Sequence, residues 1–321
     1  MAAAVLPSAA EIRRAADALR TVAPPTPMVE TAGLSRRLGV PVWLKCELWQ
    51  PMGAFKVRGA WTAISRLTEE ARARGILTHS SGNHGQAVAF VARQLGLRAV
   101  IVMPKTAPQV KVDGVRRYGG EIVFTEATTT ARLAKAAELE AELGLTMVPP
   151  YDDPNIVLGQ ATCALEILDR APEIRTFLSP IGGGGLLGGT CVTVQAMAPG
   201  ARVVGVEPAG AAKLSAALAA GAPAMLEKTG SIADGLLPLS VGKLTFEYIR
   251  PVVREAVQVS DEEIGAAVRH LYLEQGLRVE PSGAVGVAAL LTGKLRPDTP
   301  TAVILSGGNV DPALFQTLVA G

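Results

Sequence analysis

Cysteine is scarce. The chain has three, Cys46, Cys163 and Cys191, widely spaced and without a CxxC pair. That argues against a disulfide framework or a thiolate zinc site and suits a reducing cytosol. Histidine is equally rare. His79, His84 and His270 are the whole set, and none pair at metal-ligand spacing. Charge of one sign is also missing. Thirty-one Lys and Arg against 29 Asp and Glu leave a net +2, so no basic stripe marks a nucleic-acid binder. No apolar run is long enough to span a bilayer. The opening MAAAVLPSAAEIRRAA has no basic residue ahead of its apolar ones, so no signal peptide is expected. These absences leave a cytoplasmic α/β chain. At 321 residues it has room for about two domains of ~150 residues each, and 49% apolar content allows a large core.

Short β-branched runs alternate with segments of helical period. Strands are expected at 42–46, 75–79, 99–103, 121–125, 175–179, 202–207 and 301–306. Helices are expected at 57–67, 83–95, 108–117, 127–143, 155–170, 186–197, 261–275 and 283–292. The alternation reads as βαβ units around mostly parallel sheet. Runs such as AVIVM suit a sheet covered on both faces. Three strand exits are rich in glycine or small polar residues: SSGNHG (80–85), GGGGLLGG (182–189) and SGGN (306–309). Ligands of open α/β sheets sit outside the carboxyl ends of the strands, so the three loops are expected to converge on one site. The proline-rich breaks APPTP (23–27) and VPPYDDP (148–154) join an N-terminal helix to the body and mark a domain crossing.

The stretch FLSPIGGGGLLGGT is a strand, a glycine run and a helix start. Its backbone can approach a ligand closely, and the helix N-terminus offers free N–H donors, so an anion, most naturally phosphate, belongs there. Gly183, Gly185 and Gly188 also satisfy GxGxxG, and Glu207 follows 24 residues after Gly183 at the end of the next strand. That pattern is open to a dinucleotide, with the acid on a ribose hydroxyl. It leaves PMGAFKVRGA (51–60) unexplained. There Lys56 follows Phe55, with Gly53 and Gly59 on either side. A partly desolvated lysine loses its proton more easily and becomes a nucleophile. A phosphate site beside such a lysine suits pyridoxal phosphate. Judged by its neighbours alone, Lys56 also reads as a surface lysine at a helix start.

Taken in order, PMGAFKVRGA, SSGNHGQ, IGGGGLLGG, SIADG (231–235), EPSGA (280–284) and SGGN resemble the fold type II pyridoxal-phosphate enzymes, within them the serine/threonine dehydratase and serine racemase branch. The likeness runs from about residue 10 to residue 315. It implies a two-domain, tryptophan synthase β-like fold, with residues 1–74 and 148–321 as the large cofactor-binding domain and 75–147 as a small domain closing over the site. It implies that Lys56 is the Schiff-base lysine, that Phe55 packs on the cofactor ring, and that Asn83 hydrogen-bonds its phenolic oxygen. Gly182, Gly183, Gly184, Gly185 and Leu186 would cradle the phosphate, and Ser306 would face the pyridine nitrogen. Ser80, Ser81, Gly82 and His84 would hold the substrate. Ser81 is either a carboxylate donor or, as in the racemases, an acid–base opposite the lysine, and His84 orients the loop. Glu280 and Ser282 lie near the cofactor.

The implied reaction is β-elimination from a β-hydroxy amino acid such as threonine or serine, giving a 2-oxo acid and ammonia, with Lys56 taking the α-proton. The alternatives are an amino-acid racemase on the same scaffold, a cofactor-binding protein with little turnover, and, from a different class, a nicotinamide-dependent oxidoreductase. A homo-oligomer, dimer or tetramer, is expected, without nucleic acid or membrane partners, and no isoleucine-regulated domain. Two departures from the family stand out. Met52-Gly53-Ala54-Phe55-Lys56 lacks two usual hydroxyls, and a usual histidine is replaced near Pro149, which together imply a less polar pocket. Some members also bind a divalent cation through a Glu, a backbone carbonyl and an Asp. Here Glu207 and Ala211 match, but the third position is Lys213, which would repel the cation and pair with Glu207. No metal is expected.

Overall fold

The computed structural model describes residues 5–80 and 82–320. Its strands are β1 (Met28–Glu30), β2 (Val42–Cys46), β3 (Ile76–His79), β4 (Ala99–Pro104), β5 (Glu121–Thr125), β6 (Thr146–Met147), β7 (Thr176–Pro180), β8 (Arg202–Pro208), β9 (Ala256–Val259) and β10 (Thr301–Leu305). They build two sheets, ordered β1-β2-β10-β7-β8-β9 and β5-β4-β3-β6. Every pairing is parallel except β1 with β2.

Alternation along the central strands decides which helix covers which face. On β10, Val303 and Leu305 face a core shared with Val285, Val287 and Ala288 of the helix Pro281–Leu291. Ala302 and Ile304 face the opposite core, with Leu187 and Cys191 of the helix Gly185–Met197. The second sheet repeats the plan. Ile76, Ile101 and Met103 pack with the helices Asn83–Leu95 and Lys56–Ser65, while Leu77, Val100 and Val102 pack with Ala136 and Leu139 of the helix Thr129–Leu143. A strand with helices on both faces has no solvent side, so β4 and β10 are buried at every residue.

The helices Lys56–Ser65 and Pro154–Arg170 cross at Gly59 and Gly159. A Cβ on Gly59 would lie 2.9 Å from the Ile156 carbonyl, and one on Gly159 2.4 Å from the Arg58 carbonyl. Gly59 therefore serves helix packing, not the approach of a ligand. Gly53 forms a turn at φ 80° against Asn309. The expected elements lie within two residues of the observed ones at each end. β1, β6 and β9 were not expected. They are short edge strands, and their weak apolar runs carry little signal.

Candidate active site

The exits of β3, β7 and β10 open on one cavity of about 710 Å³. Ser80, Gly82, Asn83, Gly182 to Leu186 and Ser306 all line it, together with Phe55 and Lys56. The three glycine-rich loops thus converge as the strand order demands.

Lys56 opens its helix. The segment before it is bound to the exit of β10 by a Phe55 N–H bond to the Ser306 carbonyl (3.0 Å) and a Gly308 N–H bond to the Gly53 carbonyl (2.9 Å). Nζ donates to the Pro150 carbonyl at 2.6 Å and lies 5.2 Å from the centre of the Phe55 ring. No carboxylate pairs with it among the described residues. Burial alone pushes its pKa down to about 8. Two residues on, Arg58 fixes the helix. Its guanidinium, 0% exposed, bonds Glu47 at 2.7 Å and Glu166 at 2.6 Å, and Lys45 completes the cluster at 2.5 Å from Glu166. Burial raises the Glu47 carboxyl, yet Arg58 and Lys45 outweigh it and hold it at about 2. Lys56 therefore stands on a helix clamped by a buried ion cluster that no sequence motif announced.

The glycine loop meets the helix Gly185–Met197 at Gly184, which sits at φ 102°, and the helix has no side-chain cap. Its first-turn N–H groups are left for a ligand. Tyr151 packs so closely that a Cβ on Gly183 would fall 2.2 Å from its ring. From below, the Gly183 carbonyl accepts from Thr245 Oγ1 at 2.8 Å and the Gly242 N–H at 3.0 Å. The loop admits only glycine at its centre, Gly183 and Gly184.

On the other wall, Asn83 opens the helix Asn83–Leu95. Its Oδ1 accepts from Asn309 at 2.9 Å, so the amide is turned, and its Nδ2 donates to Glu280 at 2.6 Å. One N–H remains for a ligand oxygen. Ser80 Oγ accepts from the Gly82 N–H at 3.1 Å. His84 is buried, and burial together with the nearby Lys56 charge pushes it down to about 3. The ring is neutral and donates Nε2–H to the Val148 carbonyl at 3.1 Å. Ser81 lies outside the described residues.

Three further groups escaped the sequence. Lys111 is buried and bridges Asp234 at 2.5 Å and Glu280 at 3.3 Å. Burial raises the Glu280 carboxyl despite this partner. Arg132 and His79 line the cavity as well. Arg132 bonds only the Ala127 carbonyl and Thr129 Oγ1, its Nε has no partner, and no carboxylate pairs with it among the described residues. A lone helical lysine or arginine in a sequence looks like a solvated face. Only the buried spacing of Lys111 with Val112 and Val115 hints otherwise. Met52 and Ala54, by contrast, are in the core and do not line the cavity. Their missing hydroxyls therefore do not alter the lining of the cavity.

Two expectations fall at Glu207. Its oxygens accept from Leu214 N–H at 2.7 Å, Ser215 N–H at 2.9 Å and Ser215 Oγ at 2.7 Å, so it caps a helix and has nothing to offer a ribose. The dinucleotide reading fails with it. Lys213 does not pair with Glu207. Its Nζ donates to the carbonyls of Ala211 and Leu236, at 2.7 and 2.8 Å. An ammonium already fills the point where those carbonyls meet, so the set does not fit a divalent cation.

Pyridoxal phosphate does fit the cavity. An uncapped helix end suits its phosphate, Asn83 holds one free N–H, Phe55 offers a flat face, and Lys56 is an amine close to neutrality. The comparisons agree. A model of the pyridoxal-phosphate dependent enzyme family matches residues 19–307. Serine racemase from Oryza sativa subsp. indica is 38% identical over 312 residues, 94% of this chain and 92% of its own. L-threo-3-hydroxyaspartate ammonia-lyase from Saccharomyces cerevisiae is 35% identical over 318 residues, 99% of this chain and 98% of its own. The solved structure of maize serine racemase matches with a TM-score of 0.93 at 35% identity, over 98% of both chains. A match across most of the length, with Lys56 and the glycine loop in one cavity, places the chain in the family of pyridoxal-phosphate dependent enzymes.

Proposed function

We propose that the protein is an ammonia-lyase that removes the β-hydroxyl and the amino group of a β-hydroxy amino acid to give a 2-oxo acid and ammonia, and that it favours a substrate with a second carboxylate. The observation that carries the reading is Lys56: an amine held by one backbone carbonyl, with a pKa of about 8, facing the cavity. Such a group takes and returns a proton near neutral pH.

Pyridoxal phosphate, when bound, supplies an aldehyde that condenses with amines and a ring that withdraws electrons. It would be held by the N–H groups of Gly182 to Leu186, by Phe55, by Asn83 and by Ser306. Lys56 removes the α-proton, the β-hydroxyl takes up a proton and departs as water, and water then hydrolyses the released unsaturated amine to the 2-oxo acid and ammonia. Ser80, Gly82 and the N-terminus of the helix Asn83–Leu95 bind the α-carboxylate. His84, being neutral, orients this loop through Val148. Arg132, without an acidic partner, supports recognition of a second carboxylate on the substrate. The yeast relative named for hydroxyaspartate is consistent with that preference. Residues 75–147 act as a lobe closing on the body formed by 1–74 and 148–321, with Lys111 latching to Asp234 and Glu280. The reading includes a cytoplasmic homo-oligomer.

The test is 2-oxo acid release by the cofactor-loaded protein from L-threo-3-hydroxyaspartate, L-threonine, L-serine and phenylserine, with chiral analysis of the residual substrate. Release, fastest from hydroxyaspartate, is expected. A change of handedness without 2-oxo acid would replace the lyase with a racemase.

A further inference from the structure

One buried cation has no part in that reaction. Lys213 opens the helix Lys213–Ala220 and is 0% exposed. The Ala211 and Leu236 carbonyls come from separate segments and converge on its Nζ. Glu207, also 0% exposed, lies close by with both oxygens engaged by N–H and O–H donors. Two converging carbonyls beside a buried carboxylate form the kind of oxygen set that holds a hard cation. The occupant is the chain's own ammonium.

Leu236 belongs to a turn, Asp234–Leu236, that forms part of the cavity wall. Asp234 pairs with Lys111. Gly235 N–H donates to Ser282 Oγ at 2.9 Å. The Gly235 carbonyl lies under the glycine loop, where a Cβ on Gly182 would come within 3.0 Å of it. Whatever fixes the Leu236 carbonyl fixes the floor of the phosphate loop.

We propose that Lys213 is a tethered cation. Its ammonium stands where a bound metal ion would otherwise tie the two segments, and it makes the anion end of the site independent of divalent cations. Lys213 is a positioning residue. It touches neither the substrate nor the cofactor and acts through Leu236. The inference deepens the reading above and relies on it only for the group that the glycine loop holds.

The test compares wild type with Lys213→Ala, Lys213→Met and Lys213→Asp. The readouts are pyridoxal-phosphate affinity, by absorbance titration, and the melting temperature of the cofactor-free protein. Each is measured with EDTA and then with Mg²⁺, Ca²⁺, K⁺ or methylammonium. Wild type should respond to none of them. Lys213→Ala should lose roughly tenfold in affinity, the worth of hydrogen bonds from a charged donor, and recover part of it with methylammonium or K⁺. Lys213→Met fills the space without charge and should recover with neither. Lys213→Asp adds a carboxylate and should become dependent on Mg²⁺ or Ca²⁺. Stabilisation of wild type by a divalent cation would overturn the proposal, even if no variant folds. So would a Lys213→Ala protein of full affinity, or one whose loss no cation restores. A wild type without lyase activity leaves these cation responses intact, so the two readings fail separately.

Discussion

Lys56 and Lys213 begin alike. Each is the first residue of a helix whose own N-cap residue makes no side-chain hydrogen bond, and each donates from Nζ to backbone carbonyl oxygen. A cation at a helix N-terminus opposes the macrodipole, and burial disfavours its charge further. Burial pushes both amines to about 8. They part in what surrounds them. Lys213 is sealed and holds two carbonyls. Lys56 is half-buried, holds one carbonyl and opens on the cavity with donors to spare. The same shift in basicity accompanies a sealed amine in one place and an amine open to the cavity in the other. Burial sets how easily the proton leaves, and access to a ligand decides whether that matters.

The most direct way to sharpen the contrast is to remove the amine that faces the cavity. Lys56→Ala should lose the cofactor's lysine-bound absorbance and at least about 10²–10⁴-fold in 2-oxo acid production, the range for one proton-transfer group. Circular dichroism of the variant should stay unchanged, because the Lys56 side chain faces the cavity and is held there by one hydrogen bond, to the Pro150 carbonyl. Full activity in this variant would falsify the assignment. A second break concerns what holds each lysine. The helix of Lys56 is clamped by Arg58, whereas Lys213 is itself the clamp of its segment. Arg58→Met should leave Glu47 and Glu166 facing Lys45 alone and cost about 3–5 kcal/mol in urea unfolding. A cost below about 1 kcal/mol would mean that the cluster does not anchor the site.

The two lysines also mark how far the sequence could be read. Lys56 was legible because Phe55 and two glycines surround it and because five other motifs follow in order. The continuous apolar runs at 42–46, 99–103 and 301–306 became strands because helices cover both faces. The glycine run at 182–185 was legible because Gly183 has no room for a side chain beside Tyr151 and Gly184 sits at φ 102°. Lys213 was noticed as a departure, but its partners were misjudged. Backbone carbonyls have no side-chain signature, so Ala211 and Leu236 could not announce themselves, and Glu207 had a nearer use as a cap. Arg58, Lys111 and Arg132 were missed for a related reason. A charged residue on a helix reads as solvated until the fold surrounds it: Glu166 stands 108 residues from Arg58 and Asp234 stands 123 from Lys111, while Arg132 shows itself only as part of the cavity wall. Met52 and Ala54 erred the other way: adjacency to Lys56 in sequence did not place them in the pocket.

Arg132 tests whether the open side of the comparison is also selective. Arg132→Met should raise KM for hydroxyaspartate by about 10–100-fold, the worth of charge-assisted hydrogen bonds, and leave KM for threonine nearly unchanged. An equal effect on both substrates would make Arg132 a wall of the cavity and remove the case for a second carboxylate.

The smallest effect is the pH response of Lys56 in the cofactor-free protein, and it reads the shared shift directly. The neutral amine is the nucleophile, so the rate of pyridoxal-phosphate capture should rise through about pH 8 and then level, followed by stopped-flow absorbance. Stability has the matching sign. The folded pKa lies below the unfolded value of 10.5, so between about pH 8 and 10.5 the unfolded chain binds more protons and stability rises with pH. Other groups act in the same range: burial raises the Cys46 thiol from 9.0 to about 12, which lowers stability as pH climbs above 9. The informative quantity is therefore wild type minus Lys56→Met. That difference should move in favour of wild type across the window, because the variant has no proton to lose there. A flat difference, with capture still rising toward pH 10.5, would show that Lys56 keeps an ordinary basicity. It would then be reactive through access alone.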